Sequence, residues 1–129
     1  MTSVVLDASA LLAMLRDEPG GNKVADVLID SQMCVVNFAE VISHFVHNKM
    51  PSQEIDAMLH PLPVTLVKAD VELAKMAGHL RAITSKAGLS LGDRFCLALA
   101  MREGLPAWTA DKQWAVVAEK TGIKVVVIR

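Results

Sequence analysis

Tyrosine is absent from this chain, and three phenylalanines and two tryptophans are its only aromatic residues of the Phe, Trp and Tyr group. A core must therefore be assembled mainly from Leu, Val, Ile, Ala and Met. No aromatic-rich basic strip offers a platform on which nucleic-acid bases could stack. Cysteine is nearly as scarce. Cys34 and Cys96 lie far apart inside apolar runs, and neither has a second Cys at metal-ligand spacing, so both read as buried free thiols. Long apolar runs are missing too, which excludes a bilayer span. The strand-like Val4-Val5-Leu6 stands where a charged leader with a cleavage site would otherwise begin. A cytoplasmic protein without membrane attachment is the expectation. Charge of one sign is also lacking: 13 Lys and Arg oppose 14 Asp and Glu, a net −1, which excludes binding of nucleic acid by bulk charge.

What is present is an apolar, finely segmented chain. Of its 129 residues 53% are hydrophobic, enough for a sizeable core in one domain spanning residues 1–129. Short β-branched runs alternate with helical periodicity. Strands are predicted at Thr2 to Leu6, Met33 to Val36, Pro63 to Val67, Ala107 to Thr109 and Lys124 to Ile128. Helices are predicted at Ala8 to Leu15, Asn22 to Asp30, Asn37 to Met50, Ser52 to His60, about Ala69 to Ala87, Ser90 to about Gly104, and Asp111 to Lys120. The strand runs are continuously apolar, as in parallel strands covered on both faces. The pattern predicts a three-layer α/β/α sandwich around a parallel sheet of about five strands.

Four acidic residues, Asp7, Glu40, Asp93 and Asp111, sit just past these strands or in first helical turns. Each has a local explanation. Asp7 and Asp111 suit helix N-caps, Ser90-Leu91-Gly92-Asp93 has the form of a capping box, and Asn37-Phe38-Ala39-Glu40 has the same form. Together they point further. A parallel sheet gathers its strand ends along one edge, so residues scattered through the sequence converge on one crevice. Clustered carboxylates repel one another, and a hard divalent cation is the usual reason to keep them together. A Mg²⁺ or Mn²⁺ site acting on phosphate esters is the reading these residues support. Ser9 and Thr109 place hydroxyls near the same edge, suited to holding a water or phosphate, and Asn37 is placed to position Glu40 or cap its helix. His44 and His47 share a helix face with Glu40, yet the spacing is not that of a zinc hydrolase, and exposed or cleft-flanking roles are preferred for them.

Asp7-Ala8-Ser9-Ala10, Asn37-Phe38-Ala39-Glu40, Ser90-Leu91-Gly92-Asp93-Arg94-Phe95-Cys96 and Thr109-Ala110-Asp111, in this order, resemble the motifs of PIN-domain ribonucleases, nearest to the VapC-like toxins of toxin–antitoxin pairs. The resemblance covers the whole chain. It implies a PIN-like fold and a Mg²⁺- or Mn²⁺-dependent endoribonuclease with Asp7, Glu40, Asp93 and Asp111 as its metal-binding acids. It also implies an RNA substrate, a homodimer and a cognate antitoxin that blocks the groove. Arg94, next to Asp93, would then be placed to contact RNA phosphate or a carboxylate.

Other functions fit less well. A haloacid-dehalogenase-like phosphatase wants a second Asp two residues after Asp7, where Ser9 stands. A receiver-like domain wants a phosphoacceptor Asp after the third strand, where Asp70 better suits a helix cap. A non-catalytic PIN-like binding or regulatory module is opposed only by the intact set of acids.

Overall fold

Val4–Leu6 forms β1, the middle strand of a five-stranded sheet, and all three residues are buried. The computed structural model describes residues 2–129. After β1 come α1 (Ala8–Leu15), α2 (Gly21–Val27), β2 (Ser31–Cys34), α3 (Val35–His47), α4 (Ser52–Leu59) and β3 (Thr65–Val67). The second half contains α5 (Val71–His79), α6 (Arg81–Thr84), α7 (Leu91–Glu103), β4 (Ala107–Thr109), α8 (Trp114–Thr121) and β5 (Val125–Val127). The strand order is β3-β2-β1-β4-β5 and every pairing is parallel. Successive strands are added on one side of β1 up to β3 and on the other side from β4. The order therefore reverses between β1 and β4, and a crevice opens at their C-terminal ends.

Alternating side chains send β1 into two cores. Val4 and Leu6 pack with Leu11, Val24, Met33, Val41 and Ile55. Val5 packs on the other face with Leu73, Phe95, Leu97, Leu99 and Trp114. This is the expected α/β/α arrangement. Each fully buried aliphatic side chain in these layers contributes about 1.5–3 kcal/mol. No helix among the described residues is long and apolar enough to cross a membrane.

Most predicted ends shift by a residue or a few, and the shifts that matter here have local reasons. The second strand begins and ends two residues earlier than Met33 to Val36. Its polar residues are accommodated: the Ser31 hydroxyl donates to the Leu28 carbonyl at 2.6 Å, and Gln32 Nε2 donates to Thr2 Oγ1 at 2.8 Å. Val35 and Val36 are the first turn of α3 despite their β-branching, so Asn37 lies inside the helix and does not cap it. Cys34 is the N-cap and makes no side-chain cap bond. The helix predicted over 69–87 breaks at Leu80 into α5, α6 and a 3-10 turn at Ser85–Ala87. Gly78 weakens the helix just before the break, and Leu80 and Thr84 beyond it are buried, with the Thr84 hydroxyl donating to the Leu80 carbonyl. The last helix starts at Trp114, not Asp111. The Asp111 carboxylate instead accepts from the Gln113 N–H at 2.9 Å, a turn that keeps its own residue outside the helix.

Candidate active site

The crevice at the β1–β4 switch is lined by Asp7, Ala8, Ser9, Leu12, Glu40, His44, Asp93 and Asp111, and encloses about 310 Å³. All four acids singled out in the sequence thus face one cleft. Asp7 leaves β1 as the N-cap of α1 and is almost fully buried. Glu40 stands in the second turn of α3, Asp93 in the first turn of α7, and Asp111 in the turn after β4.

Asp7 is held by three donors. The Ala10 N–H and the Ser9 hydroxyl reach Oδ1 at 2.8 Å each, and the Thr109 hydroxyl reaches Oδ2 at 2.6 Å. The proton directions are fixed from behind. Ser9 Oγ accepts from the Ala110 N–H at 2.9 Å and Thr109 Oγ1 accepts from the Asp111 N–H at 3.0 Å, so both hydroxyls have their own protons to give to Asp7. Two short relays therefore run from the backbone after β4 to the carboxylate after β1. Burial nevertheless outweighs these bonds and pushes the Asp7 pKa up to about 7, with a smaller contribution from the negative charge of Asp93.

Glu40 and Asp93 are tied to each other's helices. Asn37 Nδ2 donates to Glu40 Oε1 and to the Gly92 carbonyl, both at 2.9 Å, which joins α3 to the first turn of α7. Asp93 closes the capping box predicted from sequence. Its carboxylate accepts from the Ser90 N–H at 2.9 Å and its N–H donates to Ser90 Oγ at 3.2 Å. Burial raises the pKa of both acids. The charge of Asp93 adds to the rise at Glu40, and the charge of Asp111 adds to the rise at Asp93.

Glycine at position 92 is required by this geometry, because a Cβ there would collide with both carboxylate oxygens of Glu40. Gly92→Ala should therefore fold, since the obstructed atoms end a flexible side chain, but it should turn Glu40 out of the cleft. Any activity that uses the Glu40 carboxylate in this cleft should fall about a hundredfold from such a displacement. It is checked by kinetics alongside a thermal melt that stays near that of the unaltered protein.

The donor set is all carboxylate oxygen, and at Asp7, Glu40 and Asp93 burial and a neighbouring carboxylate charge raise the pKa, a crowding that a hard divalent cation would relieve. The carboxylates line the walls of the cleft and do not close on one point: among the described residues, no three His, Cys, Asp or Glu side chains are already drawn together as a metal cage.

Ser9 and Thr109, expected to hold a water or phosphate, instead donate their hydroxyl protons to Asp7, and Asn37 takes the Glu40-positioning role of the two expected for it. Arg94 takes neither role expected of it. Its side chain is buried away from the cleft, where Nη1 donates to the Ala77 carbonyl of α5 at 3.2 Å, so it braces the helix layer and cannot meet a substrate. The apolar surround of α7 draws the long side chain inward, whereas adjacency to Asp93 suggested the opposite. His44 flanks the cleft, and its Nε2 lies 2.8 Å from Arg16 Nη1 at the end of α1. Arg16 has no motif around it; the contact spans 28 positions and exists only once α1 packs on α3.

Comparison with known proteins places this geometry in context. A family model described as the PIN domain matches residues 4–120. The chain is 30% identical over 112 residues to a protein named ribonuclease VapC from Mycolicibacterium smegmatis, a match that covers 80% of this chain and 87% of that protein. Among solved structures, it is similar to a chain of a toxin–antitoxin complex from Klebsiella pneumoniae (TM-score 0.71, 16% identity, 98% of each chain covered). It is also similar to a chain of DNA-bound VapBC from Salmonella typhimurium (TM-score 0.72, 15% identity, 98% of each chain covered). At these identities the structural matches speak to the fold alone.

Proposed function

The chain belongs to the PIN-domain family, and from that premise we propose that it is a divalent-cation-dependent endoribonuclease, the toxin of a toxin–antitoxin pair. The observation that carries the reading is the convergence of Asp7, Glu40, Asp93 and Asp111 on one cleft at the sheet's switch point. The curated relative is a ribonuclease by name, and the structural neighbours come from complexes of toxin with antitoxin. A cognate antitoxin is accordingly the proposed protein partner, with the chain acting in the cytoplasm as a single-domain homodimer.

Asp7, Glu40, Asp93 and Asp111 would hold Mg²⁺ or Mn²⁺. When bound, the cation supplies charge neutralisation and Lewis-acid polarisation at the scissile phosphate. The protein's own part is orientation. Asp7 is fixed by the two hydroxyl relays, so its position in the cleft costs little reorganisation during reaction. Asn37 locks Glu40 against the turn that carries Asp93. Glu40 and Asp93, held in the cleft wall by Asn37 and Ser90, would orient the attacking water by accepting a hydrogen bond with an oxygen not engaged by the cation. Hydrolysis then adds water across one P–O bond of the strand, with no covalent enzyme intermediate required.

Induced expression tests this directly. The unaltered chain should arrest growth of its host and shorten cellular RNA, while Asp93→Asn, expressed to the same soluble level, should do neither. Growth arrest of equal depth by both proteins would instead favour a non-catalytic binding module.

A further inference from the structure

The carboxylate cleft explains cutting but offers little to hold a polyanion. RNA needs cations or polar donors along its phosphates, and the cleft itself is acidic. The groups that could supply this lie one step outside. Along α3, Glu40, Ser43, His44 and His47 form a stripe of the same helix face. They line a second hollow that shares Glu40 and His44 with the carboxylate cleft. The two depressions therefore adjoin, and Glu40 and His44 stand where they meet.

The contact with Arg16 selects the tautomer of His44. A guanidinium has only donors, so the 2.8 Å contact from Arg16 Nη1 requires His44 Nε2 to carry a lone pair, and the ring proton sits on Nδ1. Asn48 Nδ2 approaches the same nitrogen at 3.2 Å and also donates to the His44 carbonyl at 2.8 Å, which holds the ring in place. Among the described residues no acceptor meets His44 Nδ1. Arg16 has an exposed side chain, and its one carboxylate neighbour, Glu18, is 3.9 Å from Nε. At least three N–H groups of the exposed Arg16 side chain thus have no protein acceptor among the described residues, and Arg16 adjoins the cleft through its contact with His44.

Resting on the ribonuclease reading above, we propose that Arg16 and His44 form a phosphate-holding subsite. It receives the single RNA strand as it passes from the carboxylate cleft onto the exposed face of α3, where Ser43 and His47 extend the track. The ligand class follows from the donors: free N–H groups beside an acidic cutting site match the phosphate oxygens that flank a scissile bond. No Phe, Tyr or Trp lies along the stripe, and the guanidinium N–H groups assign the contact to the phosphate backbone of the strand. Arg16 is then a binding residue, and its effect falls on substrate capture.

Cleavage kinetics of a defined single-stranded RNA in Mg²⁺, as a function of salt, provide the test. Arg16→Ala should raise KM about tenfold, the worth of a charged hydrogen bond, while kcat changes far less. Its RNA affinity should lose about 0.7 from the slope of log K against log salt, the share of one phosphate contact on a single strand. Arg16→Lys keeps the charge and should restore the salt slope with a KM between the two. Unchanged KM and salt slope in Arg16→Ala, with the unaltered protein cutting normally, would overturn the subsite alone. A fall in kcat at constant KM would also overturn it, as would loss of antitoxin binding without loss of RNA affinity. If the unaltered protein neither cuts nor binds RNA, the ribonuclease reading falls and the subsite with it.

Discussion

Asp7→Asn is expected to lose at least about a thousandfold of RNA cleavage while keeping its fold, a loss of the size seen when an essential charge is removed from a preorganised site. The charge is the point of the substitution, since size and shape hardly change. Asp7 is the most buried of the four acids and receives donors from Ala10, Ser9 and Thr109. An amide can accept from only part of this set and presents hydrogens to the rest. The site has a way to adapt, because Ser9 Oγ and Thr109 Oγ1 lie 3.2 Å apart and one hydroxyl can turn its proton to the other. The amide hydrogens then find oxygen lone pairs. Folding should survive, as judged by an unchanged circular dichroism spectrum, and catalysis should not. Wild-type cleavage rates in Asp7→Asn would remove Asp7 from the site.

The second large effect is on stability. Without a divalent cation, the protein should be more stable in mild acid than in mild base, the reverse of the behaviour of a chain dominated by ion-paired carboxylates. Asp7 has a pKa of about 7 in the folded chain against an ordinary 3.8. Below the lower value both states are protonated and the advantage of the folded state is complete. As pH rises through the higher value, the folded state must ionise a buried carboxyl that the unfolded chain ionised earlier, and stability is lost. Between about pH 5 and about pH 8 this amounts to roughly 3 kcal/mol, or roughly 10 °C in melting temperature. Glu40 and Asp93 are shifted in the same direction and add to the slope. Mn²⁺ in mild base should restore stability by about 2.7 kcal/mol at a hundredfold excess over its dissociation constant. Asp7→Asn should flatten the pH dependence. Thermal melts in EDTA and in Mn²⁺ across this range measure all three, and a metal-free melting temperature that rises from mild acid to mild base would contradict the assignment of Asp7.

What could be read from the sequence was what local chemistry dictates. Ser90 and Asp93 announce the start of α7, Asp70 caps α5 by accepting from the Leu73 N–H, and Gly104 and Gly122 end their helices with positive φ. The same local logic, with parallel strands, places the four acids at one edge. It failed where tertiary pairing overrides a residue's own preference. Val35 and Val36 look like strand and form helix, because β2 takes its register from β1 and β3, through Val4 opposite Ser31 and Cys34 opposite Val67. Asn37, which the sequence offers either as a positioning group for Glu40 or as a helix cap, takes the first role and also bridges to Gly92, 55 positions away, a contact no local pattern shows. Adjacency to Asp93 suggests a cleft-facing Arg94, yet the buried surface of α7 sets its direction. Arg16 was invisible for the reason that makes it interesting: its partner is on another helix.

Cleavage of a mixed RNA pool by the purified chain in Mg²⁺, in Mn²⁺ and in EDTA, with Asp7→Asn run beside it, tests the four-carboxylate nuclease most directly. Cutting by the unaltered protein in either metal, abolished by EDTA and absent from Asp7→Asn, is the predicted result. Cutting that persists in EDTA, or that Asp7→Asn performs equally well, would contradict it.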